Sequence, residues 1–307
     1  MADNAILASA LRKVAWRLPP FMGLLFLLSF IDRANVSFAS LQMNKDLGFT
    51  PTIYAWGVGF FFFSYVLFEV PSNMILDRIG ARRWIAPTVL AWGAIAIAMA
   101  WVDGARSFFL LRFLLGIAEA GLLPGLLLYL TYWFPASQRA HMSALFLIAI
   151  PFSNALGAPI SGYILDIPGL AGAWGLKSWQ WLFVIEGLPA LLFGLAVYFV
   201  LPDRPRNASW LTSEECAALE SELARDATTG ARKHASLIDG LISPPVLWLS
   251  LAYFGALLGG FGIIFWTPQI VKAFGLSNAQ TGLVTAIPFA ASSISGASAT
   301  AIRSKEA

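Results

Sequence analysis

The chain has 307 residues, of which 58% are hydrophobic and only 12% are charged, and its mean hydropathy is +0.71. Soluble domains are about 45–50% apolar and about 25% charged, so this composition excludes an ordinary soluble domain and predicts a polytopic membrane protein. The net charge of +3 does not indicate a nucleic-acid partner, because the basic residues lie in short segments between apolar runs. With one cysteine, Cys216, and two histidines, we expect no intrachain disulfide, no metal site and no cofactor.

Eight apolar stretches are long enough for membrane-spanning helices, which need roughly 20 mostly apolar residues. The first stretch follows Arg12, Lys13 and Arg17 and lacks a convincing cleavage site, so we expect an uncleaved span rather than a signal peptide. The predicted spans cover residues 20–40, 53–76, 84–102, 107–131, 141–165, 179–201, 245–268 and 280–302.

The basic residues between these spans predict the orientation of the chain. With the N-terminus inside, twelve of them lie in cytoplasmic segments and four on the opposite side. Cytoplasmic loops of membrane proteins carry an excess of lysine and arginine. We therefore expect a multi-pass protein of the inner cell membrane with a cytoplasmic N-terminus.

A long polar segment, residues 202–243, separates the sixth and seventh spans. Thr212 and Glu215 have the spacing of a capping box, and the leucines around them suit a short amphipathic surface helix. We therefore predict three parts: a six-helix transmembrane bundle over 1–201, a cytoplasmic linker over 202–243, and two helices of a second bundle over 244–307.

Charged residues interrupt two of the apolar spans. Arg112 and Glu119 lie in LLRFLLGIAEAGLLPG, residues 110–125, and Asp32 and Arg33 lie in the first span. A charge at the centre of a spanning helix costs about 2.5–3.5 kcal/mol, so such side chains face a water-filled cavity or one another. Arg112 and Glu119 are nearly two helical turns apart, on one face, and we expect them to pair. The four charges sum to zero, so mutual structural neutralisation is the alternative to a binding site.

Two glutamates, Glu69 in the second span and Glu186 in the sixth, also lie in apolar surroundings. For both, a structural pairing role and a role in transport are equally open. In the fifth span, the small residues of NALGAPISGYIL, residues 154–165, are expected to let helices approach closely.

The loop after the second span, NMILDRIGARRW at 73–84, resembles the loop signature of the major facilitator superfamily. Gly80 permits a tight turn, and the charges around it can form ion pairs that lock one conformation. The alternative is a basic loop that only follows the topology rule. Asn73 departs from the signature, which has glycine there. The matching residues are Asp77, Arg78, Gly80, Arg82 and Arg83.

Four stretches more specifically resemble the anion:cation symporter branch of that superfamily, which includes galactonate, tartrate, phthalate and hydroxyphenylacetate permeases. They are FIDRANVSFA, YVLFEVPSNMILDRIGARRW, LLRFLLGIAEAGLLPG and WLFVIEGLPA. The resemblance implies an all-α transporter rather than an enzyme, with proton-coupled symport of a small organic anion by alternating access. It also implies that Arg33, Tyr65 and Arg112 bind the substrate and that Asp32 and Glu119 couple it to protons.

The C-terminal part departs from the family pattern of twelve spans. We expect about eight spans, that is, a major facilitator fold with a complete first bundle and an incomplete, truncated second one. The expected partners are a small organic anion, protons and the lipid bilayer. The alternative function is a non-transporting remnant of such a permease. An enzyme is disfavoured because the sequence has no nucleophile–base pair, metal cluster or phosphate-binding loop.

Overall fold

The computed structural model describes residues 2–229 and 243–306, and within these ranges it contains no strand. This confirms the predicted all-α class. Three short 3-10 turns, Met99–Trp101, Ala173–Gly175 and Pro205–Asn207, connect some of the helices. The α-helices are α1 (Ala2–Asp46), α2 (Pro51–Ile79), α3 (Ala81–Ala98), α4 (Ala105–Glu119), α5 (Leu122–Thr131), α6 (Ala136–Asp166), α7 (Ser178–Val200), α8 (Ser213–Thr229), α9 (Pro244–Lys272) and α10 (Asn278–Glu306).

Six segments of the described chain are long and apolar enough to cross a membrane. They coincide with predicted spans one to four, six and seven. Predicted spans five and eight correspond to α6 and α10, which are 31 and 29 residues long but are not among the six segments. The total of eight membrane spans therefore stays a prediction. Residues 230–242 of the predicted linker lie outside the described residues.

The predicted fourth span is divided in the structure, where α4 ends at Glu119 and α5 begins at Leu122. Pro124 has no N–H, so it cannot donate the helical hydrogen bond to the carbonyl of Ala120. At Gly121, an added Cβ would lie 1.7 Å from the Ser72 hydroxyl oxygen of α2. The break therefore occurs at a close approach of α2, and it places Glu119 at a helix end.

Two hydrophobic clusters stack along the membrane direction. On α1, Phe30 belongs to the first cluster and Val36 to the second, and on α4 Leu115 belongs to the first and Phe108 to the second. Asp32, Arg33 and Arg112 lie in the short stretches between the clusters, whereas Glu119 lies between Leu115 and Leu122 of the first cluster. Apolar side chains thus shield a polar layer from both sides, which strengthens electrostatic interactions inside it.

Helices α6 and α10 pack closely through glycines. An added Cβ at Gly162 would lie 2.4 Å from the backbone oxygen of Asn278, and one at Gly282 would lie 2.4 Å from the Ala158 oxygen. This confirms that small residues of the fifth span let helices approach. Beside the contact, Asp166 accepts hydrogen bonds from the Asn278 side chain at 2.7 Å and the Ala279 N–H at 2.8 Å. The second bond gives a partner to a backbone N–H in the first turn of α10.

In the described part of the chain, helix α9 is covered by other helices along its C-terminal half, from Phe261 onward. Phe265 is fully buried there, and its carbonyl accepts a hydrogen bond from the Tyr54 hydroxyl at 3.0 Å. In the N-terminal half, Trp248 is 72% exposed and Leu249 is 77% exposed. The end of α9 that follows the linker is therefore open to its surroundings, whereas the opposite end is closed against α1 and α2.

The linker helix α8 begins with the predicted capping box. The Thr212 N–H donates to the Glu215 carboxylate at 3.0 Å, and the Glu215 N–H donates to the Thr212 hydroxyl at 3.2 Å. Lys13 of α1 forms an ion pair with Glu215 at 2.7 Å. The hydrogen bond from Lys13, followed by that from Thr212, lowers the pKa of Glu215 from its ordinary 4.5 to about 2. This ion pair ties α8 to the beginning of the first helix.

Candidate functional site

Four charged residues predicted from the sequence are buried at or next to the boundary between the two hydrophobic clusters. Asp32 and Arg33 come from α1, and Arg112 and Glu119 come from α4. Their exposed fractions are 1%, 7%, 1% and 1%. We call these four residues the charged layer. Such complete burial of ionisable groups in a membrane helix bundle marks a candidate functional site.

The expected pair of Arg112 and Glu119 is wrong, because Glu119 pairs with Arg33 instead. The Arg33 Nε atom lies 2.6 Å from Glu119 Oε2, and the other carboxylate oxygen, Oε1, has no hydrogen-bond partner among the described residues. Seven residues rise about 10.5 Å along a helix. That distance separates Arg112 from Glu119 along α4, and Arg33 reaches the carboxylate from α1.

Arg112 is the least satisfied member of the charged layer. Its Nε donates to the Gly57 carbonyl at 3.4 Å, a long contact, and its guanidinium lies 4.5 Å from the centre of the Phe61 ring. The terminal nitrogen Nη2 is buried and has no hydrogen-bond partner within the described part of the chain. A buried cationic donor without an acceptor is costly, so this nitrogen is an available position for an anionic ligand.

Aromatic rings surround the guanidinium of Arg33. The ring centres of Tyr65, Phe30 and Phe61 lie 4.7, 5.0 and 5.5 Å from its central carbon. The predicted substrate residue Tyr65 is therefore placed beside Arg33. Rings at these distances attract a cation through the π system and fix the orientation of the guanidinium.

Asp32 is held by two donors that the sequence reasoning missed. Trp92 of α3 donates from Nε1 at 2.7 Å, and Asn35, one turn along α1, donates from Nδ2 at 2.8 Å. The three-residue spacing between Asp32 and Asn35 was a readable signal. The contribution of Trp92 was not, because it depends on how α3 packs against α1.

The glutamates outside the charged layer differ in burial. Glu69 is half-buried on α2. Glu186 of α7 is 8% exposed, and its Oε1 accepts a hydrogen bond from the Ser161 hydroxyl of α6 at 2.7 Å. Its second oxygen, Oε2, has no partner among the residues that the structure describes.

The predicted loop motif forms the turn between α2 and α3. Gly80 has a φ of +92°, which glycine adopts without strain, and it ends α2. Within the described residues, none of the motif's charged side chains forms an ion pair, so the expected ion pairs are not present in this conformation. Instead, the Arg82 N–H donates to the Asp203 carboxylate at 3.0 Å. Asp203, at the start of the linker, was missed by the sequence reasoning.

Comparison with known proteins identifies the family of the chain. The Major Facilitator Superfamily profile matches residues 22–305. A protein of Agrobacterium vitis named "Putative tartrate transporter" is 48% identical over 94% of this chain and 64% of its own length. The NicT protein of Pseudomonas putida, named as a metabolite transport protein, is 42% identical over 90% of this chain and 63% of its own length.

A solved structure with the same fold is that of the proton:xylose symporter XylE. It has a TM-score of 0.72 with 18% identity, over 96% of this chain and 69% of its own; at that identity the likeness shows the fold alone. The chain spans 64% and 63% of the lengths of the two curated relatives described above. What those longer proteins do is therefore evidence for a proposal about this chain.

Proposed function

Because the chain belongs to the major facilitator superfamily, we propose that it is a secondary active transporter rather than an enzyme. The proposed reaction is proton-coupled symport of a small organic anion by alternating access, in which the two sides of the membrane open in turn. The observation that carries this proposal is the buried, unpartnered Nη2 of Arg112 beside the Arg33–Glu119 ion pair.

The substrate is proposed to be an organic anion with at least one carboxylate. Arg33 and Arg112 would bind it, since a planar guanidinium offers a carboxylate two parallel hydrogen bonds, and Tyr65 would line the same position beside Arg33. Two relatives that are 48% and 47% identical carry the name "Putative tartrate transporter". Sugar acids, dicarboxylates and aromatic acids are the substrate classes to test first.

Proton coupling is proposed to involve Asp32 and Glu119. A substrate carboxylate that engages Arg33 competes with Glu119 for the same guanidinium, so Glu119 loses the charge that stabilises its ionised form. Binding of the anion then favours binding of a proton. By linkage, a bound proton favours the anion by the same factor, with a coupling typically of about 1–3 kcal/mol.

The orientation and domain boundaries are part of the proposal. We place the N-terminus and the linker, 202–243, on the cytoplasmic side of the inner membrane, with a first bundle over 1–201 and the beginning of a second over 244–307. The loop motif at Asp77, Arg78, Gly80, Arg82 and Arg83 would stabilise one conformation through the contact of its backbone with Asp203.

The experiment that tests the proposal is uptake of radiolabelled organic anions into proteoliposomes with an imposed proton gradient. We expect saturable accumulation that an acidic exterior drives. Arg112→Lys keeps the charge but loses the planar fork, so anion binding should weaken strongly. Arg106→Lys, at an exposed position, makes the same chemical change away from the site and is the matched control.

Two results would contradict the proposal. Unchanged anion affinity in Arg112→Lys would make Arg112 a structural residue. Absence of proton-driven accumulation for every anion tested, from protein shown to be folded, would favour the alternative of a non-transporting membrane protein.

A further inference from the structure

A third buried carboxyl group, that of Glu186, lies in the membrane core without a cation. Glu186 is 8% exposed. The Ser161 hydroxyl donates to Oε1 at 2.7 Å, and Oε2 has no hydrogen-bond partner among the described residues. One oxygen contacts a neutral hydroxyl and the other has no partner among the described residues. No cationic group therefore contacts this carboxyl group to balance a negative charge.

The charges of the core support the same conclusion. Glu119 is neutralised by direct contact with Arg33, which leaves a single guanidinium, that of Arg112, for the remaining two carboxyl groups. One buried negative charge is therefore in excess, and an uncompensated buried ion costs several kcal/mol. The buried charged side chains of the described membrane helices are three carboxyls (Asp32, Glu119, Glu186) and two guanidiniums (Arg33, Arg112).

The excess is removed if a proton resides on Glu186. Asp32 receives hydrogen bonds from Trp92 and Asn35, which are donors that suit a carboxylate. Glu186 has one hydroxyl donor and a free oxygen, so its Oε2 is the position where an acid proton fits. A buried acid group resolves an unpaired charge by remaining neutral.

Among the described residues of the helices packed against α7, the basic side chain next to Asp32 is Arg33 of α1, which is paired with Glu119. From α1, Asp32 and Asn35 act on the Glu186 carboxyl group, and from α6 Ser161 donates to it. The charged residues of α3 are Arg82 and Arg83, at the opposite end of that helix from the level of Glu186. Of the titratable groups on these helices, another carboxyl, Asp32, acts on Glu186.

We propose that Glu186 is a proton-carrying residue of the transport cycle and exchanges its proton with Asp32. In this step the O–H bond of the Glu186 acid breaks, an O–H bond forms on the Asp32 carboxylate, and no other bond changes. Asn35 donates to Asp32 and also faces Glu186, so the two carboxyl groups belong to one polar cluster. The role in transport rests on the proposed symport function, whereas the protonated state of Glu186 does not.

The same cluster could be thought to hold a sodium ion, but its donors argue for a proton. The Asn35 amide and the Ser161 hydroxyl direct hydrogens at carboxyl oxygens. A metal ion needs several oxygen ligands, whereas three of the four carboxyl oxygens of Asp32 and Glu186 already accept hydrogen bonds. A proton on Glu186 Oε2 leaves them intact.

The protonated state is tested by infrared spectroscopy of the purified protein, using the carbonyl stretch of protonated carboxylic acids. At neutral pH we expect such a band, its loss in Glu186→Gln and its retention, at a shifted position, in Glu186→Asp. Glu220→Gln, at an exposed position of α8, is the matched control and should leave the band unchanged. In Asp32→Asn the band should disappear at less alkaline pH, because a neighbouring negative charge that favours the acid form has been removed.

The role in the cycle is tested by counting protons per anion in proteoliposomes. Glu186→Gln should lose one coupled proton per anion relative to the wild type, while anion binding at the arginines persists. A band that is absent from the wild type, or that added sodium removes, would overturn the inference. An unchanged proton count in Glu186→Gln would also overturn it. If the band behaves as expected but no variant transports with protons, the proposed function fails while the protonated state of Glu186 stands.

Discussion

Replacing Glu119 by glutamine separates anion binding from proton coupling. Glutamine mimics the protonated acid, so it removes the charge that holds Arg33 while keeping the shape of the side chain. The two groups lie 2.6 Å apart, which at an effective dielectric constant of about 20 corresponds to an attraction of about 6 kcal/mol. This value is an upper limit for the effect on substrate binding, because water and the substrate carboxylate replace part of the lost interaction.

Couplings between sites are typically about 1–3 kcal/mol, or about 5- to 150-fold in affinity. We therefore expect Glu119→Gln to bind the anion about 5- to 150-fold more tightly at neutral pH. The affinity should also depend less on pH, because the competing ionisable group has been removed. Substrate exchange across the membrane should survive, whereas accumulation driven by a proton gradient should be lost.

The assay is equilibrium binding of the radiolabelled anion over a range of pH, combined with exchange and accumulation in proteoliposomes. Glu220→Gln, on the exposed face of α8, controls for the same chemical change outside the membrane. Full accumulation in Glu119→Gln, or an affinity with the same pH dependence as the wild type, would refute the coupling role. Glu119 would then be only the structural partner of Arg33.

Further predictions concern packing, pH dependence and topology. Gly162→Leu should separate α6 from α10 and lower thermal stability in detergent, since overpacking costs about 1–3 kcal/mol; Gly255→Leu, with nothing within 4 Å, should not. The hydrogen bond from Lys13 lowers the pKa of Glu215 from its ordinary 4.5 to about 2. The ionised Glu215 should therefore stabilise α8 fully above pH 4.5 and lose this effect as the pH falls toward 2. Limited proteolysis of the linker at a series of pH values, with Glu215→Gln as the reference, measures this loss. Burial raises the pKa of the Cys216 thiol, so an impermeant thiol reagent should label it slowly in inverted vesicles. In intact cells the cytoplasmic linker should be out of reach of the reagent, and labelling there would contradict the proposed topology.

Local sequence patterns predicted the helices well because each depends on neighbouring residues. The apolar stretches and the capping box of Thr212 and Glu215 are examples, since a helix of this kind is specified within a few turns. The break after Glu119 was also readable in principle, because Pro124 cannot donate to the carbonyl four residues earlier.

The partners in the candidate site could not be predicted in the same way. Arg112 and Glu119 share a helix face, but the ion pair of Glu119 forms with Arg33 because α1 and α4 meet at that level. The contacts of Trp92 with Asp32 and of Asp203 with Arg82 also join residues that are far apart in sequence. Such contacts follow from the packing of helices, which one sequence does not specify residue by residue.

The charge balance of the buried core predicts how many protons accompany each transported anion. With a proton on Glu186, the two remaining carboxylates balance Arg33 and Arg112, so the empty core is neutral. A bound monoanion adds one negative charge, and neutrality is restored if Glu186 passes its proton to Asp32 and then takes up another proton. A dianion would need both carboxylates to be protonated. Each uncompensated charge moved across the membrane changes the energy by about 2.3 kcal/mol per 100 mV, so the proton number should follow the charge of the anion rather than its size.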